Sequence, residues 1–208
     1  MHSLYTKATF QSLVDTILPR TYDFKKNQFQ IIPGGVDFSI DEYIMWNLDV
    51  QLSPRLNIDD SYFILSTVTA QTLDIASMQF LHSNTNTPYH NDYIFPYGGL
   101  FTTLSRIDRL RVIMFIEKLD VDLTTLPFPY KNNPGFTMNL MNIINLSTIF
   151  GFYSEWFGYG NSRFSPSENS RLFCIPPGWI QTGYPGPALG YRDFRGFLLE
   201  MDYMGGIK

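Results

Sequence analysis

The chain has a single cysteine, Cys174, among its 208 residues. That excludes an internal disulfide framework and a cysteine-built zinc site, and leaves a free thiol or a bond to a second chain. Charge is also scarce: 16% of residues are charged, against a usual quarter or so. Lys and Arg number 15 and are scattered, and the net charge is −4, so no basic run points to nucleic acid. Long apolar runs are missing as well. The best candidate, FTMNLMNIINLSTIFGF over 136–152, is interrupted by Asn139, Asn142 and Asn145, which would be costly in lipid, so no membrane span is expected. The N-terminal MHSLYTKATFQSLVDTILP lacks a cationic start and a small-residue cleavage site. A cytoplasmic location is the expectation, or a periplasmic one if a leader was removed.

What the chain has is aromatic side chains, 16% of residues, and apolar residues, 44% in all. At this length they supply one globular domain with a sizeable core. The expected fold is mainly α: about five helices over 1–150, then an irregular wrapping tail over 151–208. Phe10, Leu13, Val14, Ile17 and Leu18 form one helical stripe that Pro19 ends. Ser39 with Glu42 has capping-box spacing, and Ile40, Tyr43, Ile44, Leu48 and Leu52 continue a helical face to about Ser53-Pro54. Asp59 or Asp60 can cap a third helix to about Phe80. Ser105 with Asp108 opens a fourth, whose RLRVIMFIEKL is apolar around most of its circumference and predicts burial on several sides. Asn133 and Pro134 open a fifth, running to about Phe150.

Chemistry-bearing sets are few. His82, His90 and Asp92 share the loop HSNTNTPYHND, but their spacing matches no helical ligand pair, and an exposed polar loop is the simpler reading. Cys174 lies among apolar neighbours that would hold it as a buried, unreactive thiol. GYGN at 158–161 lacks the register of a dinucleotide loop. Asp15, Asp41, Glu42, Asp49, Asp59 and Asp60 fall near helix starts or on polar faces, where capping and solvation account for them. No catalytic set can be nominated, nor a cofactor or metal site. Asn139, Asn142 and Asn145, by contrast, fall on one side of a helix with no charged residue, as a hydrogen-bonding face toward a partner would. Ordinary exposure explains them equally.

The stretch PPGWIQTGYPGPALGYRDFRG at 176–196 is so broken by glycine and proline that neither helix nor central strand is expected through it. Its rings invite a partner. Trp179, Tyr184 and Tyr191 are candidate anchors, with Pro185, Gly186 and Pro187 fixing the path between them and Cys174 just before. The alternative is that the rings fold back as the domain's own lid.

Several blocks taken in order resemble the gluconate 2-dehydrogenase subunit 3 family. They are LVDTILPRT at 13–21, the Gly34-Gly35-Val36 turn with YIMWNLD at 43–49, FTTLSRIDRLRVIMFIEK at 101–118, FGFYSEWFGYGN at 150–161 and GWIQTGYPGPALGYRDF at 178–194. The last is the most specific. The resemblance implies a non-catalytic small subunit that accompanies a flavoprotein of the glucose-methanol-choline (GMC) type and assists its folding, flavin loading or stability. FAD would then sit in the partner, which oxidises a sugar or related alcohol, and the assembly would be a hetero-oligomer. Two other classes stay open. One is a carbohydrate-binding module that stacks sugars on Trp156, Trp179 and tyrosines, and the other is a free-standing enzyme.

Overall fold

The computed structural model describes residues 2–25, 28–54, 64–83, 95–166 and 169–184. The fold is mainly α. Helix α1 spans Leu4–Ile17, α2 Ile40–Trp46, α3 Leu65–Ser83, α4 Leu100–Thr103, α5 Arg106–Glu117, α6 Pro134–Tyr153 and α7 Pro177–Thr182. Strands β1, Thr21–Lys25, and β2, Gln28–Ile32, pair as an antiparallel hairpin in the register Thr21↔Ile32 to Lys25↔Gln28.

Helix α1 starts a turn and a half before its apolar stripe, because the Ser3 hydroxyl accepts the Thr6 amide at 3.1 Å as an N-cap. It lies at the centre of the domain, against α2, α3 and α5. Phe10, Leu13 and Val14 are fully buried on it. Thr9, Ser12 and Thr16 are buried too, and each donates its hydroxyl to a carbonyl three or four residues back, which removes the desolvation penalty. Asp74 of α3 ties three helices together. It accepts the Tyr5 hydroxyl from α1 at 2.6 Å and the Phe101 amide of α4 at 2.9 Å. Gly99 permits that approach, since a Cβ there would fall within 1.7 Å of the Asp74 carboxylate.

Two expected helix starts are seen at atomic level. The Ser105 hydroxyl accepts the Asp108 amide at 3.2 Å and bonds the Asp108 carboxylate at 2.7 Å. The Asn133 side chain accepts the Phe136 amide at 3.1 Å, with Pro134 at the first helical position. The Ser39–Glu42 box does not form. Ser39 closes a short 3-10 turn, Gly35–Phe38, in the left-handed conformation, so its side chain cannot cap α2. Asp37 caps that turn instead, accepting the Gly34 amide at 2.8 Å and pairing with Arg20. Helix α2 runs on as a π-helical turn, Asn47–Leu52, and ends at Ser53 as expected. Asp59 and Asp60 lie outside the described residues.

The hairpin is formed by TYDFK and FQII, which carry the β-branched and aromatic residues that strands favour. Two expectations about the helices are corrected. Helix α5 is not buried on several sides: Ile107, Leu110 and Met114 are exposed at i, i+3 and i+7, while Val112, Ile113 and Ile116 face the core. The stretch from 176 does contain a helix, because Pro177 sits at the first helical position and Gly183 ends it with φ 70°. Those are the places where proline and glycine punctuate a helix rather than break it.

Candidate functional site

Helix α6 carries no charged residue along PGFTMNLMNIINLSTIFGFY. One stripe, Thr137, Leu140, Met141, Ile144, Thr148 and Gly151, is buried on the domain. The opposite stripe is apolar as well: Met138, Leu146, Ile149, Phe150 and Tyr153 are exposed, Leu146 to 59% and Phe150 to 64%. A helix apolar on both faces has a second surface to cover. Asn139 and Asn142 are exposed beside this stripe. Asn145 turns inward and donates to the Glu117 carboxylate at 2.5 Å. Steps of three rotate steadily around a helix, so the row of three is split between solvent and the α5 contact.

The rings expected to reach a partner divide in the same way. Trp179 is 8% exposed and its indole donates to the Tyr153 carbonyl of α6 at 3.0 Å, so it fastens α7 onto its own chain. Its role as an outward anchor is thereby corrected toward the lid reading. Gly178 makes the contact close, since a Cβ there would come 2.5 Å from the Phe152 carbonyl and 2.9 Å from the Tyr153 Cα. Gly178→Ala is expected to lift α7, at about 1–3 kcal/mol, seen as roughly tenfold to hundredfold faster amide exchange over 177–182 with the core unchanged. Unaltered exchange there would refute the docking. Tyr184 stays 47% exposed, edge-on to Trp179 with ring centroids 4.9 Å apart. Pro185, Gly186, Pro187 and Tyr191 lie outside the described residues. Cys174 is exposed rather than buried, in an exposed apolar run with Leu172, Phe173 and Ile175. The carbonyl of Gly158 accepts the Phe173 amide and pins that run by its backbone; Leu172 leans on Gly158, and Phe173 and Ile175 remain the most exposed.

Between α2 and the end of α6 lies an open groove of about 460 Å³, walled by Tyr43, Trp46, Phe150, Trp156 and Tyr159. Trp156 forms its floor. It is 5% exposed, donates its indole N–H to the Ser39 carbonyl at 2.9 Å, and contacts the rings of Tyr43, Trp46 and Phe164. Arg163 lies over Trp156, 5.5 Å from the ring, and pairs with Glu42 at 3.2 Å. Neither Trp156 nor Trp179 offers an open indole face of the kind a sugar-stacking platform needs. Burial, then the Glu155 carboxylate, pushes the phenols of Tyr43 and Tyr159 above their ordinary value. Glu155 itself is exposed and has no salt bridge among the described residues. A larger cavity, of about 620 Å³, lies between α1 and the hairpin, but its charges face each other: Arg106 pairs with Asp15 and Arg20 with Asp37.

Among the described residues no three His, Cys, Asp or Glu side chains gather as a metal site, and no helix is long and apolar enough to cross a membrane. His90 and Asp92 lie outside those residues. Asp49 accepts the amide and hydroxyl of Ser66 at 2.8 and 2.7 Å, joining the π-turn to α3, so it serves structure. No family model, characterised protein or solved structure matches the chain.

Proposed function

We propose that the chain is a non-catalytic small subunit that docks on an FAD-dependent sugar or alcohol dehydrogenase of the GMC type and supports its folding, flavin loading or stability. The observation that carries this reading is the exposed uncharged face of α6, Met138, Asn142, Leu146, Ile149, Phe150 and Tyr153. A stripe of that composition in water favours association, because covering it removes apolar area at about 25 cal/mol per Å². The exposed run from Leu172 to Ile175 and Tyr184 adds further apolar surface. FAD sits in the partner, and the residues offered to it here are Tyr184, Cys174, Asn139 and Asn142. The partner class rests on the ordered blocks that resemble the gluconate 2-dehydrogenase subunit 3 family.

Isolation of the chain from its native cell is expected to bring down a yellow complex whose second protein releases FAD on denaturation. Leu146→Glu with Phe150→Glu, both at exposed positions, is expected to weaken that complex by tenfold or more, since about 1.4 kcal/mol is one decade. The isolated variant should keep the helical spectrum of the parent. Recovery of the chain without a flavoprotein, or a complex indifferent to both glutamates, would overturn the proposal.

A further inference from the structure

We infer that the outer edge of the hairpin, strand β2, pairs antiparallel with β2 of a second copy of this chain, about a two-fold axis at Gln30. A sheet of two strands is marginal by itself, and its edges offer amides and carbonyls to any strand that can lie beside them. Among the described residues no third strand joins β1 or β2. The two edges differ in place. Thr21 and Tyr22 of β1 line the cavity beside α1, whereas Ile31 and Ile32 of β2 are exposed and do not line it, so β2 is the strand turned away from the domain. They differ in charge too. Strand β1 carries Asp23 and Lys25, residues of the kind that keep an edge from pairing, and β2, QFQII, carries no charge.

The register carries the choice of partner. Lys25 and Gln28 stand opposite each other across a connection of two residues, so the bonded pairs alternate from there: Lys25↔Gln28, Asp23↔Gln30 and Thr21↔Ile32 exchange hydrogen bonds inside the hairpin. Phe29 and Ile31 fall between them and turn their N–H and C=O groups outward. The next outward position is Pro33, which has no N–H and ends the edge. The outward groups are thus confined to two positions one residue apart, and an edge of that form is its own complement. When Phe29 of one copy faces Ile31 of the other, Ile31 faces Phe29 in return, and every outward amide and carbonyl of both strands is used. Gln30 then faces Gln30, and no like charges meet. The two hairpins become one four-stranded sheet, two strands from each copy. A contact of this length is smaller than a standard interface, so the dimer expected is weak and concentration-dependent.

Helix α6 takes no part in this pairing, and the inference does not rest on the flavoprotein reading. Sedimentation equilibrium of the full chain over about 5–500 µM is expected to show the average mass rising from 24.1 kDa toward twice that value. Ile31→Pro removes an outward N–H and no bond inside the hairpin, and is expected to weaken the dimer roughly tenfold or more with the helical spectrum unchanged. Cross-linking reads the register without relying on that variant. In a Cys174→Ser background, Gln30→Cys places two thiols across the axis at a Cα separation of about 4.5 Å, inside the disulfide range of about 4.4–6.8 Å. Gln28 faces Ile32 of the other copy, so the two Gln28 positions lie about 13 Å apart along the strands. Under mild oxidation Gln30→Cys is expected to join the copies roughly tenfold faster than Gln28→Cys. A chain that stays monomeric over the whole range, or equal cross-linking of the two cysteine variants, would overturn the inference. A dimer kept in Ile31→Pro but lost in Leu146→Glu with Phe150→Glu would move the contact to α6 and overturn it. Slow exchange of the Ile31 amide in a monomer would show the edge covered by the same chain, with the same consequence. A dimer with this register but no flavoprotein partner leaves the inference standing and the subunit reading fallen; a flavoprotein complex of a chain that never dimerises does the reverse.

Discussion

Arg109→Ala is expected to cost about 3–5 kcal/mol of folding stability, from buried carbonyls left without their donor and from the cavity a large side chain leaves. Arg109 is fully buried on α5, where a charge survives only if its donors are used. They are. Its Nε donates to the Leu104 carbonyl at 3.1 Å, one terminal nitrogen donates to the Ser12 carbonyl of α1 at 2.7 Å, and the other lies 3.5 Å from Asp15. The guanidinium also stands 5.6 Å from the Phe95 ring. One side chain therefore joins α5 to α1 and to the loop before α4. Asp15 would not be stranded by the substitution, since Arg106 holds it at 3.0 Å. The cost comes from the lost bonds to two carbonyls and from the space vacated.

Arg109→Met separates these contributions. It refills much of the volume and loses only the polar bonds, so about 1–3 kcal/mol is expected to remain. For a domain of this size the alanine variant should melt about 10 °C lower. Denaturant titration of parent, Met and Ala variants checks the order. Equal stability of all three would show that the buried guanidinium contributes nothing net, as some buried ion pairs do.

This residue also marks where the sequence stops being informative. Ser105-Asp108 and Asn133-Pro134 could be read directly because a cap is a local bond between residues three apart. RLRVIMFIEKL gave the helix but misplaced its faces. A buried arginine and an exposed Ile107, Leu110 and Met114 invert the usual polarity rule, and it is the bonds to the Ser12 and Leu104 carbonyls, distant in sequence or outside the helix, that hold the arginine inside. Ser39 failed as a cap for a similar reason: the 3-10 turn before it fixes φ at 56°. In the 176–184 stretch the number of prolines and glycines suggests a break, whereas the positions of Pro177 and Gly183, first and last, make them helix boundaries.

The candidate surface was half legible. The absence of charge on α6 is visible in the sequence; of the row Asn139, Asn142 and Asn145, the first two are exposed and the third bonds Glu117. The aromatic groove was not visible, because Tyr43 and Trp46 come from α2 while Phe150 to Arg163 come from the end of α6 and the turn beyond it. Trp156 and Trp179 stand among loop-forming residues, where the sequence leaves open whether a ring turns outward or back onto its own chain. Each indole N–H in fact finds a backbone carbonyl within its own chain, at Ser39 and at Tyr153, and that bond turns the ring inward.

Asp41 falls near a helix start, as expected, but buried rather than solvated, and that position sets the second large effect. It is 2% exposed at the start of α2, and its Oδ2 has no hydrogen-bond partner among the described residues. Burial, with Glu42 next to it, pushes its carboxyl up to about 6 from the ordinary 3.8; Lys7 and the Asp41 and Glu42 backbone amides pull the other way and do not compensate. The folded-state value lies above the unfolded one. The stability tied to this group is therefore fully present below about 3.8 and is lost as pH rises through about 6. The difference corresponds to about 3 kcal/mol at 1.36 kcal/mol per pH unit. Asp41→Asn cannot ionise, so it escapes that loss, although its amide hydrogens replace one unpaired buried group with another at about 1–2 kcal/mol. The variant is expected to be more stable than the parent by about 1–2 kcal/mol above pH 7, and equal to it or weaker below pH 4. Asp37, whose carboxyl Arg20 holds below its ordinary value, acts with the opposite sign in acid and is common to both proteins. It therefore cancels in the comparison. The quantity to measure is the difference between the two unfolding free energies at several pH values from 4 to 8. Curves that run parallel across that interval would mean that Asp41 titrates as an ordinary carboxylate, solvated in the folded chain.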